Sequence, residues 1–87
     1  MRLGLLRVAT REEAEGLARR LAAGEDFAAL ARARSTDPSA SRGGDLGLVR
    51  PDELAEPLRS AAAALAVGAR SPVLETPAGY VILRRQP

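Results

Sequence analysis

The side chains able to do chemistry in this sequence are carboxylates, guanidiniums and hydroxyls, because cysteine and histidine are both absent. That removes thiol nucleophiles, disulfides, His-based metal sites and His-based acid–base catalysis together. The remaining groups are densest in one polar, glycine-rich stretch, Ser35-Thr36-Asp37-Pro38-Ser39-Ala40-Ser41-Arg42-Gly43-Gly44-Asp45-Leu46-Gly47. Asp37 precedes Pro38, where an aspartate commonly caps a turn. Gly43 and Gly44 permit positive φ and let backbone pass close to a neighbouring element, so they shape a site without doing its chemistry. A second feature is Arg7, a lone charge inside the apolar run from Leu3 to Val8.

The elements that must position these groups follow from pattern. Arg2 to Val8 alternates as a strand, with Leu3, Leu5 and Arg7 on one face and Gly4, Leu6 and Val8 on the other. Thr10 is an N-cap with Glu13 three places on, a capping-box signature, and Ala14, Leu17, Ala18 and Leu21 then recur at helical spacing up to Gly24. Asp26 caps a shorter helix whose buried stripe is Phe27, Leu30 and Ala31. Residues 35–47 read as a loop, with a brief strand over Leu46 to Val49. Pro51-Asp52-Glu53 opens a helical turn with Asp52 as its cap, and Pro57 suits the first turn of a longer helix. Leu58, Ala61, Ala62 and Leu65 form the buried side of that helix, and Gly68 closes it. Ser71 to Thr76 and Tyr80 to Arg84 read as strands joined by a three-residue turn, Pro77-Ala78-Gly79. The order β-α-α-(α)-β-α-β-β, with strands at both ends, predicts one α+β domain over residues 1–87. Its four strands form a mostly antiparallel sheet packed with helices.

Composition bounds the function. The chain has 87 residues, enough for one domain only. All 13 basic residues are arginine, and 11 acids leave a net charge of +2. The pI of 10.4 therefore reflects missing Lys and His, not a strong basic field. Acids and arginines interleave, and Phe27 and Tyr80 are the only aromatic residues; neither pattern suits a nucleic-acid binder. No apolar run approaches the roughly 20 residues that span a bilayer, so membrane insertion is not expected. Met1-Arg2-Leu3 does not open a signal peptide. Compartment is not readable from a cysteine-free chain.

Several segments, taken in order, resemble the parvulin family of peptidyl-prolyl cis-trans isomerases. Gly24-Glu25-Asp26-Phe27 with Leu30-Ala31 is similar to the family's G-x-x-F-x-x-L-A. Ser35-Thr36-Asp37-Pro38 and Gly43-Gly44-Asp45-Leu46-Gly47 resemble its S-x-D loop and G-G-D-L-G signature. Pro57-Leu58, Ser71-Pro72-Val73, Thr76 and Gly79-Tyr80 stand where the family has P-F, S-P-V, T and G-Y. The spacing agrees from about Leu3 to Arg85. The resemblance implies rotation about Xaa-Pro bonds of unfolded or extended polypeptide, in aid of protein folding. The barrier is about 18–20 kcal/mol. No bond is broken, so an apolar pocket and a field favouring the twisted amide suffice, with no cofactor or metal.

Site residues follow from the resemblance position by position. Leu46, Leu54 and Leu58 match the apolar positions that line the proline pocket, Met and Phe being usual at the last two; the alternative is that they are core leucines. Asp37 matches the Asp or Cys beside the rotating amide, against its plain use as a turn cap. Thr76 and Ala78 match positions near the family's two histidines. Leu5 and Val81 stand at the histidine positions themselves (Gly4 if the first-strand register slips by one). They read as an apolar pair facing each other across adjacent strands, either simply packed as core or lining the groove. Arg7 shares the face of Leu5; it either reaches Asp37 or the groove mouth, or snorkels to solvent at a sheet edge. The link Ala9-Thr10 lacks the long basic loop of phosphate-directed members. The closest likeness is to parvulin domains of bacterial envelope foldases and chaperones, which implies an extracytoplasmic setting and a module of a larger protein. With both histidines replaced, the alternative function is a peptide-binding chaperone module without turnover.

Overall fold

The computed structural model describes residues 1–87. A four-stranded antiparallel sheet is its centre, with strand order β2-β1-β4-β3. The strands are β1 (Arg2–Val8), β2 (Asp45–Leu48), β3 (Leu74–Thr76) and β4 (Gly79–Gln86). The helices are α1 (Arg11–Ala22), α2 (Phe27–Arg34) and α3 (Leu58–Ala64). The first and last strands lie side by side in the middle, from Arg2 opposite Gln86 to Val8 opposite Tyr80.

The alternation in β1 builds two separate cores. Leu6 and Val8 face α1 and α2 and pack with Ala14, Leu17, Leu21, Phe27, Leu30, Ala31 and Ile82. Leu3 and Leu5 face the other way and pack with Ala62, Val81 and Leu83. α1 begins where Thr10 Oγ1 accepts the Glu13 N–H at 3.2 Å, and α2 where the Asp26 carboxylate accepts the Ala29 N–H at 2.9 Å. Each bond satisfies a first-turn donor that has no partner within the helix.

Several local expectations need correction. The stretch 35–47 is not wholly a loop. Pro38–Arg42 forms a 3₁₀ turn, and the short strand runs from Asp45 to Leu48, not from Leu46 to Val49. The turn at Pro51–Glu53 is capped from Arg50, whose N–H donates to the Glu53 carboxylate at 2.8 Å, and not by Asp52. α3 ends at Ala64, short of Gly68, and only Ala62 of its apolar side is fully buried; Leu58, Ala61 and Leu65 are half-buried. The strand expected from Ser71 is regular only from Leu74. Thr76 pairs with Gly79, so the hairpin turn has two residues, Pro77 and Ala78, not three. The last strand continues past Arg84 to Gln86.

Gly44 shows why the polar stretch needs glycine. Its φ is +79°, and a Cβ there would come within 2.5 Å of the Leu5 carbonyl oxygen. The close approach lets the Leu5 N–H donate to the Gly44 carbonyl at 2.8 Å, which ties the stretch to β1.

Candidate functional site

At the Val8 end of the two central strands, β1 and β4 form the floor of a cavity of about 300 Å³. Leu5, Val81 and Leu58 are its large apolar side chains, with Ala55, Pro77 and Ala78 around the rim. Arg7, Asp37, Glu56 and Thr76 supply its polar wall. Strand alternation brings Leu5 and Arg7 to one face of β1, and the β1–β4 pairing brings Val81 beside them. The start of α3 adds Leu58, and the β3–β4 turn adds Thr76 and Ala78.

Arg7 does not snorkel at a sheet edge, since β1 is a central strand. Its guanidinium folds over the Ser35–Asp37 segment. Nε donates to Thr36 Oγ1 at 3.2 Å and Nη2 to the Thr36 carbonyl at 3.1 Å. Nη1 lies 3.5 Å from Asp37 Oδ1. The backbone joins in: the Arg7 N–H donates to Ser35 Oγ, and the Thr36 N–H donates to the Arg7 carbonyl. Every guanidinium nitrogen thus has a partner in one loop.

Asp37 serves as the turn cap, the plain use set against its site role. It also lies on the cavity wall. Its Oδ2 accepts the Ser39 N–H at 2.9 Å and, at short range, the Ser39 hydroxyl. Ser39 is 1% exposed, so these bonds satisfy groups that water does not reach. Thr76 lines the cavity while bracing the hairpin turn: its hydroxyl donates to the Gly79 carbonyl at 2.8 Å and accepts the Ala78 N–H at 3.2 Å.

Three placements depart from the sequence reading. Leu5 and Val81 share the cavity floor but do not face each other; Leu5 is opposite Leu83, and Val81 is opposite Arg7. Leu46 and Leu54 are not on the cavity wall. Both pack, partly buried, against the core of Leu3, Leu5, Val81 and Leu83. The reason for Leu46 is position, since β2 lies on the far side of β1 from β4. For Leu54 it is backbone: it ends the 3₁₀ turn in extended conformation, φ −100° and ψ 145°, so its spacing of four from Leu58 is not helical. The sequence reading missed Ala55, Glu56 and Pro77. Their signal is adjacency, as each neighbours a chosen residue or its turn.

Glu56 is the one wall carboxylate with no cation within ion-pair distance. Its oxygens accept the Ser60 hydroxyl at 2.8 Å and the Ser60 N–H at 3.0 Å. These two bonds, the hydroxyl first, hold its carboxyl below the usual carboxylate range. A second cavity, about 310 Å³, lies on the helix side beside Gly24, Gly68, Arg70 and Arg84. Only Leu21 and Phe27 are apolar in its wall, which makes it a poor seat for a proline ring. No helix is long and apolar enough to cross a membrane.

An α+β domain with this antiparallel strand order, and an apolar cleft over its central strands beside an Asp-capped turn, has the architecture of the parvulin rotamases. The comparisons agree. Residues 6–86 match the rotamase family described as the PPIC-type PPIASE domain, and the chain belongs to that family. It is 39% identical over 79 residues to the foldase protein PrsA of Bacillus subtilis, covering 90% of this chain and 27% of the relative. It is 45% identical over 69 residues to the chaperone SurA of Alkalilimnicola ehrlichii, covering 78% and 16%. The crystal structure of Bacillus subtilis PrsA superposes with a TM-score of 0.92 at 36% identity, covering 100% of this chain and 34% of that one. The chain thus spans only a sixth to about a third of these longer proteins.

Proposed function

We propose that this domain catalyses cis-trans isomerisation of Xaa-Pro bonds in extended or unfolded polypeptide, and so assists folding. The observation that carries the reading is the cavity floored by Leu5, Leu58 and Val81 in a chain of the rotamase family. A cavity of about 300 Å³ has room for a proline ring with its flanking backbone. A twisted amide has lost resonance and is less polar than a planar one, so an apolar floor disfavours it less. The difference lowers the barrier without a nucleophile. The floor is apolar where the family commonly places two histidines, so in this chain desolvation carries the step. Asp37 and Arg7 hold the wall in shape and offer fixed charge beside the rotating bond.

The names foldase and chaperone belong to the relatives; they support polypeptide clients for this domain, and their greater length supports a role as one module of a larger protein. Both relatives are bacterial proteins, which supports a bacterial origin. The resemblance to envelope foldases supports an extracytoplasmic location.

Exchange NMR on a panel of Xaa-Pro peptides tests the activity. Uncatalysed exchange takes tens to hundreds of seconds, so acceleration is read directly from cross-peaks. Wild-type protein should accelerate exchange, and Leu58→Ala should lose about tenfold in kcat/KM, or roughly 1.4 kcal/mol of transition-state stabilisation. Peptide binding with unchanged exchange would overturn the isomerase assignment and leave a holding module.

A further inference from the structure

The cavity wall carries three charged side chains, Arg7, Asp37 and Glu56, and they differ in what they have left to offer a peptide. Arg7 is spent. Each of its guanidinium nitrogens faces Thr36 or Asp37, so it has no free edge for an incoming carboxylate or phosphate. Asp37 is spent as well, with Oδ2 on Ser39 and Oδ1 against Arg7. Their charges cancel. Glu56 is different. Its carboxylate is bound only by Ser60, through one neutral hydroxyl and one backbone N–H, which fix its direction without neutralising its charge. The nearest cation in sequence, Arg59, adds only a weaker Coulombic attraction after the Ser60 bonds; it turns its Nε to the Leu54 carbonyl at 3.0 Å and makes no ion pair. One negative charge, held in place, is what the wall presents to solvent.

We infer that Glu56 is a specificity-determining residue, selecting clients with Lys or Arg flanking the proline and disfavouring acidic or phosphorylated neighbours. The inference rests on the proposed proline-peptide groove. A peptide whose proline ring lies on Leu5, Leu58 and Val81 runs past Glu56 at the rim. A cation there gains a partner already held in place, so little conformational freedom is lost in pairing. An acidic neighbour meets repulsion, and Arg7, the one guanidinium of the cavity wall, has no free edge to relieve it.

The test uses peptides with the core Xaa-Pro-Xaa, where Xaa is Lys, Ala or Glu, in the exchange NMR experiment with peptide titration. At low ionic strength, kcat/KM for the Lys peptide should exceed that for the Glu peptide by about tenfold, from an attraction and a repulsion of about threefold each. The ratio should shrink towards one in 1 M salt, where screening extends over only about 3 Å. Glu56→Gln keeps an oxygen for the Ser60 N–H and an amide donor for its hydroxyl, and should bring the ratio to about one. Glu56→Lys should invert it. Equal acceleration of all three peptides by wild-type protein would overturn the inference and leave the isomerase reading standing. Tighter binding of the Lys peptide with no acceleration of any peptide would do the reverse.

Discussion

Asp37→Ala isolates the structural half of a residue that also lines the groove. The substitution removes the only acceptor of both Ser39 donors, the N–H at 2.9 Å and the hydroxyl. Ser39 is 1% exposed. A buried polar group left without a partner costs about 1–3 kcal/mol. Two such groups on a turn that can relax amount to about 2–3 kcal/mol. The Arg7 ion pair adds no more than about 1 kcal/mol, because its side chains are 25% and 18% exposed and its separation is 3.5 Å. The expected loss is about 3 kcal/mol, which for a domain of this size lowers Tm by about 12–24 °C. Urea titration followed by circular dichroism gives the free energy directly. Ser39→Ala alone should cost about 1 kcal/mol, because its N–H keeps the Asp37 acceptor. The double variant should lose less than the sum of the singles, with a coupling of 1 kcal/mol or more. A loss below about 0.5 kcal/mol for Asp37→Ala, or strict additivity with Ser39→Ala, would refute the assignment of Asp37 as the brace of this turn.

Other predictions test the frame around the groove. Gly44→Ala should cost about 2 kcal/mol or more, since it forces alanine to φ +79° and a methyl to within 2.5 Å of the Leu5 carbonyl; thermal melting checks this, and an unchanged Tm would mean that the strand yields. Stability should be flat from pH 8 down to about 5, for lack of any histidine. Below that it should fall. Hydrogen bonds hold the Glu25 and Glu56 carboxyls below their usual 4.5 and the Asp45 carboxyl below its usual 3.8, with Arg20, Ser60 and Arg2 the leading partners. Groups with lowered values in the folded state stabilise it above the unfolded value and lose that contribution as pH drops through the folded one. Melting curves between pH 7 and pH 2.5 should show Tm declining only in the acid range, with a smaller decline at high salt.

The elements governed by local rules were legible in the sequence. The alternation of Leu3, Leu5 and Arg7 against Leu6 and Val8 placed both faces of β1 correctly, and Thr10, Asp26 and Gly24 marked the ends of α1 and α2 where they occur. What escaped depends on contacts between distant residues. The pairing of β1 with β4 joins the two ends of the chain, and no local signal sets its register, so Leu5 and Val81 turned out diagonal and not opposite. The ladder near Ser71 is built by a side chain: the Leu83 N–H donates to Ser71 Oγ at 2.9 Å while the Ser71 N–H donates to the Leu83 carbonyl. Pro72 follows with no N–H to give, so regular strand begins only at Leu74. The 3₁₀ turn after Asp37 is held by the Asp37–Ser39 bonds, which composition alone reads as loop. Of the groove, Leu5, Arg7, Asp37, Leu58, Thr76 and Val81 were named in advance. Leu46 and Leu54 pack against the core, the alternative held for both, because an apolar residue near a site looks the same in sequence whether it faces the cleft or the core behind it.

The pairing of Arg2 with Gln86 has an architectural consequence. The start of β1 and the end of β4 lie side by side, at the end of the sheet away from Arg7 and Val81. Five residues of strand, about 17 Å at 3.4 Å per residue, separate that end from the groove. A host polypeptide can therefore enter and leave through one narrow neck, as a loop would. Such an arrangement adds little loop-closure entropy to the host and keeps the host's own bulk away from the groove. A longer protein carrying this domain would hold it by one end of the sheet and leave the groove at the other end uncovered.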